Sequence, residues 1–248
     1  MRAGLLPSIV CARCGEPRLC AAAVPDHLRA VVVERATCPN DDPECDCRPM
    51  ISIVAALDEA GMERALADFG GCVELADGRL LSGDHLLPTL ESGGLYMALA
   101  TTTAYSLAPA HLFCKVLAER FAIDVSLRDD LELAVHEAVV NGLLHGNLEI
   151  VSEDRQTLEG FRNYYETVEK RLDTPPFGRR GIEISAVADE RSITVSVIDS
   201  GAGYDRSNLS VSDDSDRKSG RGLALIRHFA QDVRIDDGGR KLTMRFDR

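Results

Sequence analysis

Glu137, Asn141 and His145 recur at intervals of four in the stretch Glu137-Ala-Val-Val-Asn141-Gly-Leu-Leu-His145-Gly-Asn. On a helix that interval sets a carboxylate, an amide and an imidazole on one face, opposite an apolar stripe of Leu131, Val135, Ala138 and Val139. Further along, Asp199 closes an alternating run and is followed by Ser-Gly201-Ala-Gly203-Tyr. A carboxylate buried at a strand end can accept from an exocyclic amine, and glycines beside it let the backbone approach a flat ring or a phosphate. Ser219-Gly220-Arg-Gly222 precedes a helical pattern, so unpaired N–H groups and the positive end of a helix dipole would face an anion. Taken singly, each has an ordinary explanation: a solvated helix face, a hairpin turn, a glycine-rich loop.

The elements that must carry these residues follow from hydrophobic period and punctuation. Pro109 opens a helix running from His111 to Phe121, with Leu112, Val116, Leu117 and Phe121 on one side. Ser126 reads as the N-cap of the next helix, with Asp129 as its capping-box partner, and Gly146 as the stop. A third helix is expected over 154–172, its aromatic stripe of Phe161 and Tyr165 facing the core, with Pro175 and Pro176 ending it. Residues 182–188 and 192–199 alternate at period two around Asp189-Glu190-Arg191, an antiparallel hairpin. A helix over 223–231 follows, and a closing hairpin pairs 233–235 with 242–246.

In that order and at that separation, the three constellations resemble the N-box and the two glycine boxes of the GHKL superfamily of ATPases. The resemblance spans about 126–248 and implies a two-layer α/β sandwich that binds ATP with Mg2+. It makes Asn141 the magnesium ligand, Asp199 the reader of adenine, and Gly201, Gly203, Gly220 and Gly222 the flexible backbone around the nucleotide. Residues 204–219 would be a lid, and Thr243 resembles a threonine that supports adenine through water. Glu137, one helical turn before Asn141, and the short lid look most like the anti-sigma-factor serine/threonine kinases, where such a Glu is the proposed general base. Lys218 stands where those kinases place an arginine towards the γ-phosphate. The implied partners are a small antagonist protein as acceptor and a sigma factor or similar regulator, with a homodimer left open. Two other functions fit the same residues: an ATP-gated binding switch without transfer, and a histidine-kinase catalytic domain acting in trans. His136 would point off the ATP face, His111 would cap or pack a helix, and His145 would be structural.

The chain divides at 104, giving an α/β region over 1–104 and the ATP-binding domain over 105–248. Residues 50–75 resemble the fourth strand, fourth helix and fifth strand of response-regulator receiver domains, within a likeness covering about 28–104. Glu34 falls where a receiver carries its phosphorylated Asp, and Gly78-Arg79 where it carries Lys-Pro, which implies a degenerate, unphosphorylated receiver. Cys11 and Cys14, with Cys38, Cys45 and Cys47, could offer thiolates to zinc, or be reduced loop cysteines. The formal net charge of −12 argues against a broad grip on nucleic acid. Apolar runs broken by charges argue against a membrane span, and the expected location is cytoplasmic.

Overall fold

The computed structural model describes residues 9–11, 51–54, 57–68, 70–77, 79–81, 83–150, 157–203 and 221–248. They fall into two compact units, Met1–Ala98 and Leu99–Arg248, so the division lies slightly before the expected 104.

In the first unit, strands β1 (Ile9–Cys11), β2 (Ile51–Val54) and β3 (Gly71–Ala76) run parallel in that order. Helix α1 (Glu59–Asp68) connects β2 to β3, and its first turn is capped by Asp58, whose carboxylate accepts the Gly61 N–H at 2.7 Å. The short β4 (Arg79–Leu80) folds back antiparallel on β3, helix α2 (Leu86–Glu91) follows, and β5 (Leu95–Ala100) returns parallel to β3. Ile53, Val73, Leu80, Leu86, Leu90, Tyr96 and Ala98 form its core. Sequence periodicity does not mark β5, because a wholly buried run such as Leu-Tyr-Met-Ala-Leu-Ala lacks the alternation of a half-buried strand. The cysteine thiols proposed for zinc and Glu34 lie outside the described residues.

The second unit opens with α3 (Thr101–Leu107), α4 (Ala110–Phe121) and α5 (Val125–Asn141). Pro109 occupies the N-cap of α4, where its missing N–H costs nothing. Asp124, and not Ser126, caps α5: its carboxylate accepts the Leu127 N–H at 3.1 Å, while Asp129 pairs with Arg128 at 2.6 Å. A full negative charge at the positive end of the dipole outcompetes a hydroxyl two residues on. The helical path does not stop cleanly at Gly146 either, because Gly142–Asn147 continues as a π-helical turn. Helix α6 (Leu158–Leu172) begins after Thr157, whose hydroxyl accepts the Gly160 N–H at 3.0 Å.

The aromatic stripe of α6 only partly faces inward. Tyr164 and Val168 are buried with Leu148 and Ile150, whereas Leu158, Phe161 and Tyr165 are exposed. The stripe is wider than the strip of helix the core can cover. Strands β6 (Gly181–Ala188) and β7 (Ser192–Asp199) form the expected hairpin, with Ile184 opposite Val197. Helix α7 (Arg221–Phe229) leads into β8 (Asp232–Asp236), and β9 (Lys241–Asp247) pairs with both β8 and β7. Ile182, Ile184, Ala186, Ile193, Val195, Val197, Met244 and Phe246 are buried on one face of this sheet. Helices α5 and α7 and the π turn pack against one another and onto that face. The result is the two-layer α/β sandwich expected from the sequence. No helix among the described residues is long and apolar enough to cross a membrane.

Candidate functional site

Apolar residues on the inner side of α5 (Leu131, Ala134, Val135, Ala138 and Val139) pin the helix to the sheet, and this sets the direction of the residues beside them. Glu137 and Asn141 are one turn apart on the flank that meets α7. Gly222, in the first turn of α7, faces both side chains. A Cβ there would lie 2.8 Å from Glu137 Oε2 and 3.0 Å from Asn141 Nδ2. Only glycine leaves room for both side chains. Neither the Glu137 carboxylate nor the Asn141 amide has a hydrogen bond or ion pair within the described residues. An open carboxylate beside an open hard amide oxygen, in a cradle that a methyl group would fill, fits a magnesium ion and its anionic ligand.

The π turn brings the second part of the site to the first. Adding one residue per turn re-aims the backbone, so that Gly142 and Gly146 face β7. A Cβ on Gly142 would lie 3.5 Å from Asp199 Cβ, and one on Gly146 only 2.3 Å from Asp199 Cγ. Gly201 is as close, since its Cβ would sit 2.2 Å from the Gly146 carbonyl oxygen. Gly203 adopts φ +76°, where a side chain would strain the backbone, and abuts the Gly238 carbonyl.

Asp199 is 8% exposed at the end of β7. Its Oδ1 accepts the Gly201 N–H at 2.8 Å, and its own N–H donates to the Arg240 carbonyl at 3.0 Å. Burial pushes its carboxyl up to about 6, against the opposing pull of the Gly201 hydrogen bond and the Arg240 and Arg180 charges. A carboxylate kept buried in this way, with its other oxygen unused among the described residues, is suited to a ligand amine.

Asn147 ends the π turn and was not singled out by sequence. It is fully buried, donates to Thr101 Oγ1 at 2.9 Å and the Gly181 carbonyl at 3.0 Å, and accepts the Ser200 N–H at 2.7 Å. The Gly-x-x-x-Gly-Asn spacing within an apolar helix was the available signal. Arg180 supports the same corner by donating to the Asn147 carbonyl at 2.6 Å and pairing with Glu149 at 2.8 Å.

Thr243 requires correction. Its hydroxyl meets Ser196 Oγ at 3.0 Å, on the face of the sheet opposite Asp199. Leu242, paired in register with Val197, takes the position on the Asp199 side. His145 is held by the Ile150 carbonyl at 2.7 Å and His111 by Glu132 at 2.9 Å, in keeping with structural roles, while His136 is exposed. Lys218, Gly220 and the lid over 204–219 lie outside the described residues. Cys72 and Cys114 are buried, which pushes both thiols up, Cys72 to about 12 with help from Glu74. No cluster of His, Cys, Asp or Glu among the described residues could hold a metal on its own.

A helix layer on one sheet face, with a carboxylate at a strand end and an amide on the facing helix, defines a nucleotide-binding α/β sandwich. Residues 100–246 match the histidine kinase-like ATPase domain, and the chain belongs to that family, whose members bind ATP. No curated protein matches the chain.

Proposed function

We propose that the protein is a Mg-ATP-dependent serine/threonine kinase of the partner-switching kind, with its first unit as the regulatory part. The observation that carries this reading is the meeting of Glu137 Oε2 and the Asn141 amide at Gly222, with no partner for either among the described residues. A nucleotide switch needs the amide; it has no evident use for a carboxylate facing the same cradle one turn away.

In this reading Asp199 accepts from the adenine amine, and the glycines at 142, 146, 201 and 203 let the ring lie against backbone. Asn141 holds magnesium, which when bound offsets the charge of the ATP phosphates. Glu137 accepts the proton of the partner's hydroxyl as its oxygen bonds to the γ-phosphorus and the bond from that phosphorus to the ADP oxygen breaks. Lys218 lends a cation to the transferred group, as a point charge rather than the fork of an arginine. Phosphoryl transfer asks the protein mainly for alignment, so displacing either α5 side chain is costly. The acceptor is a small antagonist protein and the captive partner a sigma factor or similar regulator.

The test is transfer from labelled ATP to proteins that co-purify with the chain. Glu137→Ala should keep ATP binding and lose transfer by at least about a hundredfold, whereas Asn141→Ala should weaken both. Label that survives acid identifies phosphoserine or phosphothreonine; acid-labile label would mean phosphohistidine and overturn the assignment. ATP binding with no labelled partner, and capture unaltered by Glu137→Ala, would leave only a switch.

A further inference from the structure

Asn147 has three hydrogen bonds to three separate elements: the start of α3 at Thr101, the start of β6 at Gly181, and the residue that follows Asp199. Its carboxamide is wholly enclosed, so an unmet bond could not be replaced by water without opening the corner. The bond to Ser200 fixes the peptide between Asp199 and Ser200, and β9 fixes the other side of Asp199 through the Arg240 carbonyl at 3.0 Å. Ser200 is held a second time, its hydroxyl donating to the Gly181 carbonyl at 3.0 Å. With that peptide set, the Gly201 N–H reaches Asp199 Oδ1 at 2.8 Å and one carboxylate oxygen is committed, leaving the other for a ligand. Gly146, adjacent to Asn147, supplies the bare surface against which the carboxylate lies. The peptide that follows Asp199 is therefore held by an amide with no exposed surface of its own.

We propose that Asn147 is a positioning residue for base selection, aiming the Asp199 carboxylate through Ser200 and Gly201 so that an amine-bearing base is preferred. This rests on the reading of Asp199 as the adenine contact. Removing the amide leaves the Ser200 N–H unpaired and lets the turn rotate, so the carboxylate loses its Gly201 bond and its aim together.

Titration of the full chain with ATP and with GTP tests this, in wild type, Asn147→Ala and Thr101→Val. Thr101→Val removes one anchor of Asn147, and the hydroxyl's bond to the Arg180 carbonyl, while leaving the Ser200 bond in place, and so separates loosening of the corner from loss of the link to Asp199. Asn147→Ala is expected to lose roughly tenfold in ATP affinity and a similar factor in preference over GTP. The midpoint of its binding-versus-pH curve should rise, because the Gly201 hydrogen bond that favours the ionised carboxylate is weakened. Thr101→Val should keep both the preference and the midpoint. A folded Asn147→Ala protein with wild-type affinity, preference and midpoint would overturn the proposal. If Asn147→Ala does not fold, Asn147→Asp carries the test: it keeps an oxygen for the Ser200 N–H, so preference should persist, and its loss with the fold intact overturns the assignment. Failure of the underlying reading looks different. Wild type that binds ATP and GTP equally, or ATP binding indifferent to Asp199→Asn, would remove the adenine contact itself.

Discussion

Asp199 binds its proton more tightly in the folded chain than in the unfolded one, with its carboxyl raised by burial from 3.8 to about 6. Between those values the folded state keeps a proton that the unfolded state releases, so stability falls as pH rises through the window and levels off above it. The shift corresponds to roughly 3 kcal/mol of stability forgone at neutral pH. Asp199→Asn removes that cost because the amide is neutral and can still accept from Gly201. Without nucleotide, the variant is therefore expected to melt at a higher temperature than wild type at pH 7.5 and to show no gain at pH 3.5, while losing ATP binding. An equal difference in melting temperature at both pH values would show that the carboxylate is not strained by burial. For the same reason, wild-type ATP affinity should decline as pH drops through about 6, where the carboxylate gains its proton and gives up an acceptor.

Gly222 and Gly146 both face functional side chains but differ in how their surroundings could yield, and the difference separates two elements. At Gly222 on α7, a new Cβ would meet the far ends of Glu137 and Asn141, which can swing aside. Gly222→Ala should thus leave the melting temperature nearly unchanged and weaken Mg-ATP binding by about tenfold or more in calorimetric titration. At Gly146 in the π turn, the Cβ would press on the short Asp199 side chain, already held by Gly201. Gly146→Ala should both destabilise, by about 1–3 kcal/mol in a denaturant melt, and abolish binding. Unimpaired stability for Gly146→Ala, or a collapsed fold for Gly222→Ala, would contradict this geometry. The contrast also shows what sequence can carry. Spacing alone placed Glu137 and Asn141 on one helix flank, because a fourfold interval has a single meaning on an α-helix. Both hairpins were legible for a similar reason, since alternation at period two records one buried face. The π turn was not, as the extra residue per turn leaves no periodic trace in so short a run, and with it went the facing of Gly142, Gly146 and Asn147. Thr243, read by resemblance as a support for adenine, stands one residue from the position that shares a face with Asp199, and in a strand one residue exchanges one side of the sheet for the other. The Leu95–Ala100 strand escaped because a continuous apolar run does not declare its period.

At the scale of the whole molecule, the question is whether the first unit receives a signal as a phosphoryl group. Transfer to a carboxylate of the receiver kind calls for a short aspartate beside a metal held by neighbouring acids. The resemblance would set Glu34 in place of that aspartate, a longer side chain, and Gly78-Arg79 in place of Lys-Pro. Among the described residues, no cluster of acids in either unit could hold a metal. After β3 the chain does not proceed as the resemblance implies: Arg79 and Leu80 turn back on Ala76 and Leu75, and β5 then adds a further parallel neighbour to β3. A unit built in this way has a hydrophobic core of its own and, among its described residues, no acidic cluster to serve an acceptor, so its influence on the ATPase domain is expected to come through binding. Incubation of the intact protein with acetyl phosphate and magnesium should therefore leave its mass unchanged. A gain of one phosphoryl group, mapped by peptide mass to 1–98, would show that an acceptor exists there and that the first unit is a working receiver.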